Sequence, residues 1–208
     1  MSLRRIGGKS DGGIDLLGWW WLPPFGASDV NVPRRRLRVL AQCKAEKKKV
    51  GPKFIREMEG VLHRYLFLST SFRNESTHTS PEAQNQYPLV ALFVSESPYT
   101  RSTILRAQSS PVPLFLLYIP PEPSDLSVTD GSCHERIGSA VWNPALAGAQ
   151  GVLSGDIEMR WEREVRGPGR PGLWWRNQKL ANWTPEADDM ETESFNLENE
   201  NLLLEKLA

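Results

Sequence analysis

Two apolar runs constrain the fold of this chain most: LVALFVS from Leu89 to Ser95, and VPLFLLYI from Val112 to Ile119. Each has the length of a strand, and a single helical stretch from Ser97-Pro98 to about Gln108 lies between them. Strand, helix and strand in succession, with both strands apolar nearly throughout, call for a mixed or parallel sheet covered on both faces. Neither run approaches the ~20 apolar residues of a membrane helix, so no membrane association is expected.

The segments upstream read as strands. Leu3 to Ile6 is short and apolar, and Gly7, Gly8, Gly12 and Gly13 then mark a turn or loop. Ile14 to Leu22 (IDLLGWWWL) is a strand stopped by Pro23-Pro24, and at least one of Trp19, Trp20 and Trp21 must face out of it. In Leu37 to Lys44, residues 37, 39 and 41 alternate with 38, 40 and 42. The period then changes. Phe54, Ile55, Met58, Val61, Leu62 and Tyr65 recur at helical spacing, with Pro52 near the first helical position. Asn74 to Tyr87 and Pro121 to Glu135 read as loops, Ile137 to Ala149 as a last helix, and Asp156 to Trp161 as a last strand. The expected organisation is one domain over residues 1–165, then a Gly- and Pro-rich segment and an acidic tail over 166–208.

The chain has 208 residues, with 25 Lys and Arg against 25 Asp and Glu. The cancellation is only a sum. Arg34 to Arg56 holds ten Lys or Arg and one acid, Glu46, whereas Glu186 to Ala208 holds eight acids and one Lys, Lys206. Screening over ~8–10 Å keeps each block's field local. Cys43 and Cys133 are too few for a disulfide framework, which suits a soluble protein in a reducing compartment.

Several chemistries are excluded. A phosphate loop at Gly8-Lys9-Ser10 needs a glycine five positions before Gly8, where Leu3 stands. His63, His78 and His134 are scattered, and Cys133-His134 has no second pair at zinc-ligand spacing. No Gly-x-Ser-x-Gly elbow is present.

A positive signal remains. Asp15 opens one strand, and Gln42-Cys43-Lys44 closes the next. Alternation on a strand puts Gln42 and Lys44 on one side and turns Cys43 into the sheet, where it would be a small buried hydrophobe. Asp11 reads as a turn residue supporting the glycine loop. An acid, a side-chain carbonyl and a lysine gathered in this way suit phosphodiester hydrolysis with a hard cation. Lys47, Lys48, Lys49, Lys53 and Arg56 follow directly and would meet a phosphate backbone.

GGKSDGGIDL, the strand ending QCK and the helix VGPKFIREMEG together resemble the PD-(D/E)xK nuclease superfamily, in particular its Mrr-like branch, which carries Gln where most members have Glu. More narrowly, GGKSDGGIDLLGWWWLP, LAQCKAEKKKVGPKFIREMEG, FVSESPYTRSTILRAQSSPVPLFLLYI and VWNPALAG are similar to the fungal mitochondrial "required for respiratory growth" proteins of restriction-endonuclease-like fold. The likeness covers about residues 3 to 150. It implies a three-layer α/β/α sandwich around a central mixed sheet, Asp15 as ligand of Mg²⁺ or Mn²⁺, Gln42 at the second active-site position, and Lys44 as the catalytic lysine. The Cys43 carbonyl would complete the metal shell. It further implies DNA as substrate and a mitochondrial address.

Two departures follow from the same comparison. The family places a helix before the first strand, and this chain, starting at Met1, is expected to lack it. Gln42 brings no charge, so metal binding is expected to be weak. The alternative expectations are a nucleic-acid-binding module that keeps the fold without cutting, and an interaction protein whose acidic tail meets a protein partner.

Overall fold

A computed structural model describes residues 1–6, 12–24, 34–75, 87–121, 137–162 and 170–185. Gly7, Gly8, Asp11, His78, Cys133, His134 and the tail from Glu186 lie outside the described residues. The elements in chain order are β1 (Ser2–Arg5), β2 (Leu16–Leu22), β3 (Arg35–Lys44), α1 (Lys53–Glu75), β4 (Leu89–Ser95), α2 (Arg101–Gln108), β5 (Leu114–Tyr118), β6 (Ser139–Trp142), α3 (Pro144–Ala147), β7 (Ile157–Glu162), β8 (Arg170–Trp175) and β9 (Gln178–Lys179). Strands β1 to β6 form one sheet in sequence order, and β7 to β9 form a second.

The large sheet is mixed, as the apolar runs required. β1 with β2, β2 with β3, and β5 with β6 are antiparallel. Between β3 and β4, Arg38 N–H donates to the Pro88 carbonyl and Glu96 N–H to the Lys44 carbonyl, so residue numbers rise together, as in parallel strands. By its contacts the chain divides into two units. Met1–Gln42, Arg56–Ala91 and Ala181–Ala208 make the first, and Cys43–Ile55 with Leu92–Leu180 the second.

In the first unit β2 and β3 bury Leu17, Trp20, Leu22, Leu37, Val39, Leu40 and Ala41. Met58, Leu62 and Tyr65 from α1 are also buried, at the spacing that gives a helix one apolar face. Gly18 is fixed by close approach rather than by an unusual dihedral: a Cβ there would sit 1.9 Å from the Ser2 carbonyl oxygen of β1. Any side chain would push β1 off the sheet.

In the second unit Phe93, Leu114 and Leu116 are buried along β4 and β5. The Tyr99 hydroxyl lies 2.8 Å from the Phe93 carbonyl of β4 and 2.9 Å from the Leu117 carbonyl of β5, joining the two strands. Burial pushes the Tyr99 phenol well above its ordinary range. The sign follows from linkage: a raised folded-state value gives stability that is complete below the unfolded phenol's value of ~10 and is lost as pH rises toward the folded value. Urea unfolding between pH 8 and 11.5 should show this alkaline decline, and Tyr99→Phe should flatten it while losing about 1 kcal/mol at neutral pH with the hydroxyl's bonds. Equal alkaline slopes in both proteins would refute this assignment.

Asn143 ties the second unit together and is 1% exposed. Its Oδ1 accepts from the N–H groups of Leu114 at 3.0 Å and Leu146 at 3.1 Å. Its Nδ2 faces the carbonyls of Ala107 at 3.1 Å, Ser110 at 3.1 Å and Val112 at 2.7 Å. One amide thus caps α3 and holds the end of α2 against the start of β5.

The expected helix from Ile137 to Ala149 is corrected. Residues 139–142 are β6, and only Pro144–Ala147 is helical. The cause is local: a residue before proline is driven to extended backbone, and Asn143 has φ −100° and ψ 167°, so no helix can run through it.

The segment beyond Gly167 supplies β8 and β9, which its composition did not signal. Trp175 pairs with Gln178 across a two-residue turn in which Arg176 and Asn177 have φ 48° and 65°, the left-handed pair that matches strand twist. Ion pairs Arg160–Glu158 and Lys179–Glu162 decorate this small sheet.

Candidate functional site and an arginine–tryptophan face

Asp15 stands at the entrance to β2, one step beyond the last ladder pair, Leu16 opposite Ala41. Its backbone is held on both sides: Asp15 N–H donates to the Ala41 carbonyl at 2.8 Å, and its own carbonyl accepts from Ile6 N–H at 2.9 Å. Gly12 and Gly13 lead into it with φ 61° and 85°, which only glycine adopts freely. A Cβ on Gly13 would come 3.2 Å from Val61 of α1 and 3.7 Å from Nε2 of Gln42. Gln42 therefore lies beneath that glycine turn, and the first unit brings Asp15 and Gln42 to the same end of β3.

The expected orientation of Cys43 is overturned. Its side chain is exposed, and the buried member of the trio is Gln42, at 6% exposure. Alternation does not say which side is covered; a Cβ on Gly13 would meet both Val61 of α1 and Gln42, so the glycine turn and α1 lie on the Gln42 side and leave Cys43 on the open one.

Burial leaves Gln42 with an unusual deficit. Oε1 is fully enclosed and accepts no hydrogen bond among the described residues. Such an acceptor costs about 1–3 kcal/mol unless something donates to it or is coordinated by it. Among the described residues no three His, Cys, Asp or Glu side chains gather as a metal cluster, so Asp15 is the one acid that the expected ligand set contributes.

In the second unit Lys44 is half-buried, with Nζ 6.0 Å from the centre of the Phe54 ring. Lys47, Lys48, Lys49 and Lys53 are exposed, and so is Arg56 where α1 enters the first unit. The loop that carries the lysine triplet is clasped at both ends. Ser97 Oγ donates to the Glu46 carbonyl. Val50 N–H bonds Pro98 at 3.0 Å, and the Val50 carbonyl accepts from Thr100 N–H at 3.1 Å and Thr103 Oγ1 at 2.6 Å.

Sequence reasoning missed a second cluster, in the first unit. The β2–β3 register sets Trp19 opposite Arg38 and Trp21 opposite Arg36. The Arg36 guanidinium lies 4.8 Å from the Trp19 ring, 5.7 Å from Trp21 and 4.1 Å from Tyr87, and donates to the Tyr87 hydroxyl. Arg38 stacks on Trp19 at 4.5 Å. The available signal was two odd–even alternations in WWW and RRRLR, which become visible as pairs only once the register is known.

Fold and site together define an α/β protein with a mixed six-stranded sheet, whose third strand ends in a buried amide and a lysine and leads into a basic loop. The model of the family described as "Required for respiratory growth protein 7" matches residues 1–144, and the chain belongs to that family. A protein of Schizosaccharomyces pombe, described by its name as uncharacterized and mitochondrial, is 43% identical over 64 residues. The match covers 31% of this chain and 23% of that protein, so the chain spans less than a quarter of its relative's length. No solved structure matches the chain.

Proposed function

We propose that the chain is a restriction-endonuclease-like protein, an α/β/α sandwich of the PD-(D/E)xK kind, that hydrolyses DNA phosphodiesters in mitochondria with Mg²⁺ or Mn²⁺. The observation that carries this reading is the enclosed, unbonded Oε1 of Gln42 at the strand end that also holds Asp15. A hard cation takes oxygen ligands, and the donor set of Asp15 carboxylate, Gln42 Oε1 and Cys43 carbonyl is all oxygen. When bound, the ion supplies Lewis acidity and a water of lowered pKa. The chain's own residues do the rest. Lys44, the next residue on the Gln42 side of the strand, offsets the charge that develops on the phosphate, and Lys47, Lys48, Lys49, Lys53 and Arg56 hold the flanking phosphates. The relative's mitochondrial name and the family's respiratory-growth description support the address.

A second reading has its own observation in favour. Gln42 is neutral where a carboxylate would add attraction for a cation, which suits a module that binds nucleic acid without cutting it. Nicking of supercoiled plasmid by the full chain separates the two. We expect nicking with Mg²⁺ or Mn²⁺, none in EDTA, and a loss of about a hundredfold in Lys44→Ala. Activity that survives both EDTA and Lys44→Ala sinks the metal-dependent mechanism, and salt-sensitive DNA binding with no nicking selects the binding module.

A further inference from the structure

Trp183 is where the C-terminal stretch returns to the first unit. Its ring meets Trp21 edge-on at 5.5 Å and lies 4.3 Å beneath the Arg34 guanidinium, extending the stack that Arg36 and Arg38 make on Trp19, Trp21 and Tyr87. A guanidinium laid flat on a ring keeps its N–H edge in the plane, where it can grip a carboxylate with two parallel bonds. On this side of β3 Arg34 and Arg36 are half-buried and Arg38 is buried, whereas alternation puts Arg35 on the opposite side with Leu37.

The chain that follows Trp183 is complementary in charge. Glu186, Asp188, Asp189, Glu191 and Glu193 come first, and Glu186 to Ala208 holds eight acids against Lys206 alone. Glu186 is three residues from Trp183, at most ~10 Å of extended chain, so the anchored ring delivers these acids within reach of the arginines. Tethering on this scale raises the local concentration to the order of millimolar, at which individually weak surface pairs suffice.

We propose that the acidic segment 186–208 docks on the arginine–tryptophan face of β2 and β3, with Trp183 as its anchor, and competes there with external polyanions. This stands apart from the hydrolytic reading, since neither Asp15 nor Lys44 takes part. The test labels the full chain with bimane, a dye that tryptophan quenches on contact, at Met190→Cys with Cys43→Ser and Cys133→Ser. Emission at 50 mM salt should be about half that at 0.5 M salt. Arg34→Gln with Arg36→Gln should restore emission at low salt, whereas Arg34→Lys with Arg36→Lys, which keeps the charge but loses the planar two-bonded grip, should restore it only in part. A thymidine 20-mer or heparin should also restore it. Emission indifferent to salt and to the arginine substitutions overturns the docking. Quenching that grows with protein concentration assigns the face to a second copy and overturns it equally, and quenching that neither polyanion relieves overturns the competition.

Discussion

Asn143→Ala should lower the unfolding free energy by about 3–5 kcal/mol, a large part of the ~5–15 kcal/mol that holds a domain folded. The size follows from how many groups one amide satisfies. Its removal takes the side-chain partner from the Leu114 N–H and from the Ser110 and Val112 carbonyls, whereas Leu146 N–H keeps the Asn143 carbonyl and the Ala107 carbonyl keeps Ser110 N–H. Each buried group left alone costs ~1–3 kcal/mol. Backbone bonds from Asn143 N–H to Leu114 and from Ala147 N–H to the Asn143 carbonyl remain, which keeps the total below the plain sum. Asn143→Asp retains the acceptors but turns a carboxylate toward three carbonyls, and should fare no better than alanine. Urea midpoints with unchanged m-values measure both, and a loss below about 1 kcal/mol would show that the site relaxes around the gap.

Gln42→Glu tests the proposed metal centre without reference to cleavage. In EDTA the substitution buries a carboxylate where an amide oxygen already lacks a partner, and a buried charge left uncompensated costs about 3–5 kcal/mol. With Mg²⁺ or Mn²⁺ at the proposed site the same carboxylate would become a second anionic ligand beside Asp15, so the melting temperature should recover and pass that of the parent chain at equal metal. The parent itself should gain only slightly from metal. The decisive comparison is the metal-dependent part of the shift, and Asp15→Asn should remove it. If Gln42→Glu is destabilised alike with and without metal, Oε1 has no cation to meet.

The parts of this fold that were legible in the sequence are those whose signal is local and strong. The β4 and β5 runs admit no reading but buried strand, and the shift from alternation to helical spacing at Phe54 marks α1. Long-range facts were not legible. Parity along β3 places Gln42, Cys43 and Lys44 on alternating sides, but only the lie of α1 and the glycine turn over Gln42 decides that cysteine is the exposed one. The apolar residues of Ile137 to Ala149 fit a helix in period, and the Asn-Pro step at 143 and 144 outweighed them. Asn143 caps α3 through Leu146, and the four other partners of its amide lie up to 36 residues away, where no local pattern in VWNPALAG points to them. In the candidate site, residue identities and order were legible, whereas the burial of Gln42 and the arginine–tryptophan pairs needed the register.

The clasp on the lysine loop bears on binding through entropy. Immobilising one residue's backbone costs ~1–2 kcal/mol, and in a loose basic loop that cost falls on the moment of association. Here Ser97, Thr100 and Thr103 hold Glu46 and Val50 at the loop's two ends, so much of that cost is met during folding. A polyanion of the kind proposed above would have to still the side chains of Lys47, Lys48 and Lys49 but little of the backbone between them. Its affinity would then be set partly by two hydroxyls that carry no charge.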